Sequence, residues 1–530
     1  MIAKTGSDFD IILLSGEYYD DHPLSPVAII AKVLDAKGYR VGVIEKPETK
    51  DQYLRLGTPR LCFGVTSGSI DSMVHNYTPL KRKRIDDKHS DATRLPDRAV
   101  IYYCNQLKHY FKSSVIVIGG IEASLRRFAH YDYWDNTIRR SILLDSRANV
   151  LVYGNGEKQV IEIANRLNQG KDLKGILGTC ILSKELDPSF SLLPSFAEVV
   201  EDKKKFCTMQ VLFSNRKNLA QEYTNNYVLQ YKYPTYTTKD LDWIYSLPYS
   251  RRLHPNSLLK MGKFSVVIHR GCIGACNFCS LSLHQGNQII SRSEENILEE
   301  IRRLTLHRGF KGYIDDFVGP SSNMYGMVCT REESSSSCSD SCIRCAHLEK
   351  SHQRLLSLLR KARQIPGVKK IFIRSGIRYD LALESREYIK EISDHHISGC
   401  LKIAPEHFSR DVVRLMGKDN TRFEEFLDYF TALNQEKKQE LRYYFMIGHP
   451  GDSIGEVLFL HDRIKKRNLR NIEQFQLFTP TPMTLSSCMY WTGLDPFTGS
   501  KINVVHDYHT KKKLKRIMLD LPLNQSPDDR

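Results

Sequence analysis

No apolar run in this 530-residue chain approaches the roughly 20 residues that a membrane-spanning helix needs. The first ten residues, Met1 to Asp10, are polar, and Ile11 to Leu14 is too short for the apolar core of a signal peptide. Both absences point to a cytoplasmic protein without membrane contact. Thirteen cysteines spread over such a length are too sparse for a secreted disulfide scaffold. A G-x-G-x-x-G turn behind a strand, the mark of dinucleotide binding, is missing as well. Charge balance is also lacking: 77 basic and 61 acidic residues leave a net +16. That excess permits attraction to RNA, DNA or acidic metabolites, but no recognised nucleic-acid module accompanies it. The densest runs, Lys81-Arg82-Lys83-Arg84 and Lys511-Lys512-Lys513-Leu514-Lys515-Arg516, read as solvated faces or tails.

The cysteines that are present are not scattered. Seven of them fall between Cys272 and Cys345, which argues for metal rather than core thiols. Cys272, Cys276 and Cys279 are spaced C-x3-C-x2-C with no fourth cysteine nearby. Three thiolates can hold three irons of a four-iron cluster and leave the last iron open. A structural zinc site would want four closed N/S ligands. A zinc knuckle or three unrelated thiols is the plainer alternative. The loop follows the apolar run Phe264 to Ile268, so it hangs at the carboxyl end of a predicted strand, where α/β proteins place their chemistry.

Length allows two or three domains. In the first, predicted strands at 9–14, 41–44, 61–65, 115–118 and 150–153 alternate with helices at 24–36 and 98–111. This pattern implies a parallel sheet covered on both faces. Gly16, Gly68, Gly119-Gly120 and Gly154 follow strands and would line the sheet's carboxyl edge. Alternation stops near Cys180, so 181–260 reads as an inter-domain segment. Its tyrosines 223, 227, 231, 233 and 236 would either stack bases or pack between domains, and packing is the commoner use. A second alternation runs over 261–485, with strands near 264–268, 312–317, 370–373, 400–404, 441–447 and 473–478. Ser291 with Glu294 reads as a capping box opening the first helix. Six strand-helix units are too few to close an eight-stranded barrel, so an open, partial one is expected. Residues 486–530 read as a basic tail.

The loop from Gly271 to Cys279, with Phe278 just before its last cysteine, resembles the cluster-binding loop of the radical S-adenosylmethionine (SAM) superfamily. Longer stretches resemble the YgiQ-type radical SAM proteins from about Asp8 to past Tyr490. They include Phe63 to Gly68, Gly119 to Arg127, His130 to Trp134, Tyr153 to Glu157, Ser375 to Asp380, Leu401 to His407 and Gly448 to Asp452. The fold that follows is α/β: a Rossmann-like parallel-sheet domain over 1–180, then a partial (β/α)6 radical SAM barrel.

The resemblance implies a [4Fe-4S] cluster on Cys272, Cys276 and Cys279, with SAM chelating the open iron. Reductive cleavage of SAM would release a 5′-deoxyadenosyl radical, fed by an electron donor such as flavodoxin or ferredoxin. Phe278 would pack on the adenine, and Ser375 and Glu406 would contact SAM or substrate. Glu406 could instead cap a helix beginning near Ser409. The superfamily's Gly-Gly-Glu-like turn is Asp316-Phe317-Val318-Gly319-Pro320 here, so only Gly319 keeps a glycine for the SAM contact. His407 and His449 are candidates for acid-base steps or for ordinary hydrogen bonding.

Cys329, Cys338, Cys342 and Cys345, within an insertion over 329–345, would hold an auxiliary iron-sulfur cluster or a structural zinc. The alternative is an unpacked insertion. In the loop Asp20-Asp21-His22-Pro23-Leu24-Ser25, Ser25 stands where a cobalamin-binding loop has glycine, which argues against cobalamin. Glu122, Arg126, Arg127 and Asp132 would meet an anionic ligand or form ion pairs at the domain junction. The function expected is that of a radical SAM enzyme of unknown substrate. Modification of tRNA or protein is the alternative reaction, and a metal-stabilised RNA-binding or scaffold protein is the non-enzyme alternative.

Overall fold

The computed structural model describes residues 2–3, 5–85, 94–257, 259–331, 342–437 and 439–520. Short β-branched runs, buried on both faces, build the first half. Strands β1 (Ile2–Ala3), β2 (Ile11–Ser15), β3 (Val41–Glu45), β4 (Cys62–Thr66) and β5 (Ile116–Ile118) come first. A hairpin of β6 (His130–Asp132) and β7 (Thr137–Arg139) precedes β8 (Val150–Val152). Then follow β9 (Thr179–Ser183), β10 (Ser191–Leu192), β11 (Leu219–Tyr223) and β12 (Asn226–Gln230). All but the hairpin join one sheet in the order β1-β3-β2-β4-β5-β8-β9-β12-β11-β10, parallel from β1 through β8.

Alternate residues of each strand serve opposite layers. Ile11, Leu13, Val41, Val43 and Val117 pack under the helices Pro26–Asp35 and Glu157–Asn168. Ile12, Leu14, Ile44, Phe63 and Ile116 pack under the helix Ala99–Tyr110. Each fully buried aliphatic side chain contributes about 1.5–3 kcal/mol, which makes this alternation the main determinant of the layer order.

The stretch expected as an inter-domain segment from 181 supplies the last strands of this sheet. β9 and β12 are antiparallel to their neighbours, and β11 and β10 complete the edge. The apolar runs in these strands are at most three residues long, and Gln221 in β11 and Gln230 in β12 sit fully buried. Gln221 accepts from Ala129 N at 2.8 Å, and Gln230 accepts from Arg127 Nε at 2.8 Å. Buried amides satisfied this way can replace aliphatic residues in a core. Of the tyrosines here, Tyr223, Tyr231 and Tyr236 are buried in packing.

The second half supplies β13 (Val266–Val267), β14 (His269–Arg270), β15 (Ile290–Ser291), β16 (Tyr313–Ile314) and β17 (Phe317–Val318). A hairpin of β18 (Val328–Cys329) and β19 (Leu348–Glu349) follows, then β20 (Lys370–Ile371), β21 (Cys400–Glu406), β22 (Glu440–Ile447) and β23 (Ile472–Leu477). The pairs β13–β17 and β16–β20 and the triplet β21-β22-β23 are all parallel. Ile377 N donates to Lys402 O at 3.3 Å between the third and fourth staves. Six staves with helices outside make the expected partial barrel.

Its first helix is Glu294–Thr305, capped by Ser293 rather than Ser291. Ser291 Oγ instead accepts from Gly326 N at 2.9 Å. Nor is the C-terminal region simply a tail. The helices Leu485–Thr492 and Tyr508–Leu519 pack back, and Leu514 and Met518 are buried in the barrel core. Among the described residues no helix is long and apolar enough to cross a membrane.

The halves are tied by charge. Arg270 at the end of β14 meets Glu157, the first residue of the helix Glu157–Asn168, at 2.7 Å, with both side chains buried. Arg270 Nε also donates to Tyr245 OH at 2.9 Å. Removing one partner of a buried pair leaves an uncompensated charge, at a cost of about 3–5 kcal/mol. Glu157→Ala is therefore expected to lose roughly that much stability in equilibrium denaturation. Glu157→Leu combined with Arg270→Met is expected to recover most of it. A single variant as stable as the parent would show that the pair does not join the halves.

Candidate functional site

The cysteine loop leaves β14 through Gly271, whose φ is +85°; a Cβ there would lie 1.7 Å from Gln288 O. Only glycine allows that approach. Cys272, Cys276 and Cys279 follow, all half-buried. Asn277 clamps the loop to the barrel's far side: its N donates to Met416 O at 2.9 Å and its Nδ2 to Leu415 O at 3.0 Å. Its own carbonyl accepts from Ser486 N at 3.0 Å. A cavity of about 580 Å³ opens on Cys276 and Cys279 between this loop, Asn215, Arg216 and Thr484.

Burial pushes the Cys279 thiol up to about 12, with the neighbouring cysteines adding to the shift. Cys272 is raised for the same first reason, while Arg378 and Lys418 act against the rise. Arg378 Nη1 lies 3.7 Å from Cys276 Sγ, held in place by Asp380 through bonds of 3.0 and 2.6 Å. A half-buried sulfur-only triad beside a fixed cation suits thiolates on a metal centre. Among the described residues no three His, Cys, Asp or Glu side chains converge on a single-ion site. An iron-sulfur cluster asks for something different, since each cysteine sits on its own iron. Three sulfurs on one glycine-pinned loop fit that requirement.

Glu406 lies close enough to the loop for its charge to act on Cys279. It ends β21 with φ +67° and bonds Lys418 Nζ at 3.3 Å. It does not cap the helix Arg410–Leu415, whose N-cap residue is Ser409. Ser375 is exposed at the open end of the barrel and donates to Asp316, which also accepts from Arg374 N at 2.7 Å. Phe278 meets His449 edge-on at 6.2 Å. His449 is fully buried, with Nε2 2.6 Å from Ser486 Oγ. His407 is equally buried and accepts from Ser409 N at 3.0 Å. Burial pushes both imidazoles down to about 3, so both are neutral hydrogen-bonding residues of the fold.

Gly319 lies against His269: a Cβ there would stand 2.0 Å from the ring. The ring is buried, and neither nitrogen has a hydrogen-bond partner. With Gly119, Gly120 and Asn155 of the sheet edge, these residues line a cavity of about 380 Å³ between the two halves. His22 packs elsewhere, against Gly262, with Nδ1 accepting from Leu24 N at 3.1 Å. Arg126 pairs with Asp71, Asp132 pairs with Arg98 at 2.9 Å, and Glu122 accepts from Ser72 N and Val100 N at 2.9 Å. Arg127 lies 4.4 Å from the rings of both Tyr153 and Phe213. These four residues are thus engaged in an internal network.

Cys329 lies on the β18–β19 hairpin, with Cys342 and Cys345 in the turn before β19. Cys338 lies outside the described residues. Cys342 and Cys272 flank the same small apolar cluster of Ile273, Met324, Met327 and Leu381. The sequence reading assigned no role to Arg378, Lys418, Asp316 or His269. Signals existed for Arg378, in the word Ser375 to Asp380, and for Asp316, which opens the turn ending in Gly319-Pro320.

Comparison with known proteins gives a coherent result. The family model "Radical SAM N-terminal" matches residues 1–266, and the model "Radical SAM superfamily" matches residues 266–464. A UPF0313 protein of Methanocella arvoryzae is 41% identical over 96% of this chain and 90% of its own length. Another, from Clostridium botulinum (strain Okra / Type B1), is 41% identical over 98% of this chain and 86% of its own. Among solved structures, the radical SAM methyltransferase TsrM of Kitasatospora setae, with cobalamin and a [4Fe-4S] cluster bound, superposes with a TM-score of 0.54. That match covers 91% of this chain and 78% of TsrM at 14% identity, a likeness of fold.

The contact of Gly319 with His269 yields a direct test. Gly319→Ala is expected to destabilise the protein by about 1–3 kcal/mol through overpacking, with His269→Ala in the same chain relieving the clash. Denaturant melts of the single and double variants measure both. Equal stability of Gly319→Ala and the parent would mean that the close approach is not what requires glycine.

Proposed function

Because this chain belongs to the radical SAM superfamily, alongside the UPF0313 proteins, we propose that Cys272, Cys276 and Cys279 hold a [4Fe-4S] cluster whose open iron takes SAM. The observation that carries this reading is the set of three sulfurs on one glycine-pinned loop, with Arg378 beside Cys276. When bound and reduced, the cluster and SAM would supply a 5′-deoxyadenosyl radical for hydrogen abstraction.

The chain's own residues have distinct parts in this reading. Arg378, fixed by Asp380, offsets thiolate charge at Cys276. Ser375 and Glu406 stand at the carboxyl ends of the third and fourth staves, where barrel ligands bind, and offer a hydroxyl and a carboxylate to SAM. The positive φ of Glu406 is the kind of backbone strain that collects at ligand sites. Gly319, packed on the His269 ring at the end of β17, lines the cavity between the halves, and Phe278 supplies an apolar face beside the cysteines. The half-buried loop limits water at the reacting centre. An electron donor such as flavodoxin or ferredoxin would supply the reducing electron. Methyl transfer and cobalamin are named for TsrM; here the Asp20–Ser25 loop lacks the glycine and packs His22 on Gly262, so neither enters this proposal.

We assign the second cysteine group to an auxiliary iron-sulfur cluster, supported by Cys342 lying beside the same apolar cluster as Cys272. The test is anaerobic reconstitution with iron and sulfide, followed by reduction and assay of SAM for 5′-deoxyadenosine. Cleavage abolished by Cys276→Ala is the expected result. A fully loaded cluster that never cleaves SAM, with or without cell extract, would refute the enzyme reading. Cys342→Ala is expected to remove about four irons per chain while the first cluster stays loaded. Zinc lost in place of iron would make the second site structural.

A further inference from the structure

The two basic runs, more than 400 residues apart in sequence, meet in space. Lys81 and Lys511 both stand over the ring of Tyr133, at 4.7 and 5.1 Å. Lys511 is buried, its Nζ donating to Tyr133 OH at 3.0 Å and to Tyr490 OH at 2.7 Å. Lys203 stands over Trp491 at 5.4 Å. Together these residues line a pocket of about 390 Å³. At its edge Arg82 bonds Tyr508 OH, and Lys512 lies 5.2 Å from the same ring.

Among the described residues no carboxylate lines this pocket. The acids nearest the lysines are already engaged: Asp132 and Asp135 pair with Arg98 at 2.9 and 2.6 Å, and Asp507 caps its helix through Thr510 N at 2.7 Å. All three ammonium groups stand over ring faces; Lys511 also donates to two tyrosine hydroxyls and Lys81 to Trp134 O at 3.3 Å. Burial and the nearness of Lys81 push Lys511 down to about 8, the cost of gathering like charges. An anion entering the pocket would relieve that repulsion, and a planar group attached to it would find aromatic walls. The basic surface also continues outward along exposed Lys83, Lys513, Lys515 and Arg516, further than one phosphate requires.

We propose that this pocket binds single-stranded nucleic acid, with one nucleotide seated among Lys81, Lys203, Lys511 and the rings, and neighbouring phosphates along the basic rim. The site is separate from the cysteine loop but joined to it by one helix. Ser486, at the helix's start, bonds the loop residue Asn277, and Trp491, near its end, lines the pocket. Five residues of helix place them about 8 Å apart along its axis. This assignment does not depend on SAM chemistry at the loop.

Fluorescence anisotropy of a labelled 12-nucleotide RNA with the cluster-loaded full chain tests the proposal. Lys81→Ala with Lys203→Ala changes two exposed side chains and is expected to keep the melting curve of the parent. It should weaken binding at least tenfold. The slope of log K against log salt should fall by about 1.4, for two lost phosphate contacts. Displacement of the RNA by AMP at concentrations where inorganic phosphate has no effect is expected, because the rings recognise the base. No binding by the parent chain at about 100 µM protein, or equal affinity in the double variant, would overturn the site. Equal displacement by AMP and phosphate would also overturn it, leaving only diffuse charge attraction.

Discussion

Arg270 and Glu157 come from opposite halves of the chain, and their buried ion pair holds the end of the first sheet against the strand that bears the cysteine loop. Among the described residues neither charge has another opposite charge bonded to it, so separating the halves locally would expose or strand both. Glu157 also opens a helix, where a carboxylate is favoured by the helix dipole. One residue after Arg270 the chain turns through Gly271, and Cys272 follows. The pair thus sets the height and direction at which the loop begins. The contact of His284 Nδ1 with Ser124 Oγ, at 3.0 Å, repeats the tie just beyond the loop. Between these anchors lies the cavity that both halves share.

The loop itself combines two opposing demands. Half-burial excludes water but holds the thiols in their protonated form, as the rise at Cys272 and Cys279 shows. On the proposed reading, loading a cluster would have to expel those protons, which would link site assembly to pH and to nearby cations. Arg378 and Lys418 supply positive charge near Cys272, while Glu406 acts in the opposite sense at Cys279. The Lys418–Glu406 bond couples these effects across the end of β21. Charge around the loop is therefore uneven, with its cationic side toward Cys272 and Cys276.

The polar residues of the first half divide into two populations with different physics. Asp71, Glu122, Arg126 and Arg127 are buried and engaged inside the fold, Arg126 with Asp71, Glu122 with Ser72 N, and Arg127 with Gln230. Lys81, Lys203 and Lys511 are gathered on aromatic rings in a pocket that, among the described residues, no carboxylate lines. The first arrangement stabilises a core, and the second leaves charge available for a partner. A net charge of +16 describes neither.

Features written in consecutive residues were legible in the sequence. The apolar runs of β2 to β5 and β8 face cores on both sides, so burial alone identifies them. The cysteine triad could be read because its spacing is local, and the open barrel followed from six strand-helix units. Other features depend on residues far apart. β11 and β12 carry buried glutamines whose partners lie about 90 to 100 positions away, so no local hydrophobic pattern marks them. Ser291 looks like a cap, but its hydroxyl is taken by Gly326, and Ser293 caps the helix instead. Arg378 reaches Cys276 only because strand ends converge on one rim, and Lys511 reaches Lys81 only because the last helix folds back onto the first domain. The sequence by itself determined the short apolar runs that form strands and the local spacing of the three cysteines, because both act within a few residues. Tertiary structure alone decided which charges become neighbours, because Coulomb and hydrogen-bond energies depend on distance in space rather than on separation along the chain.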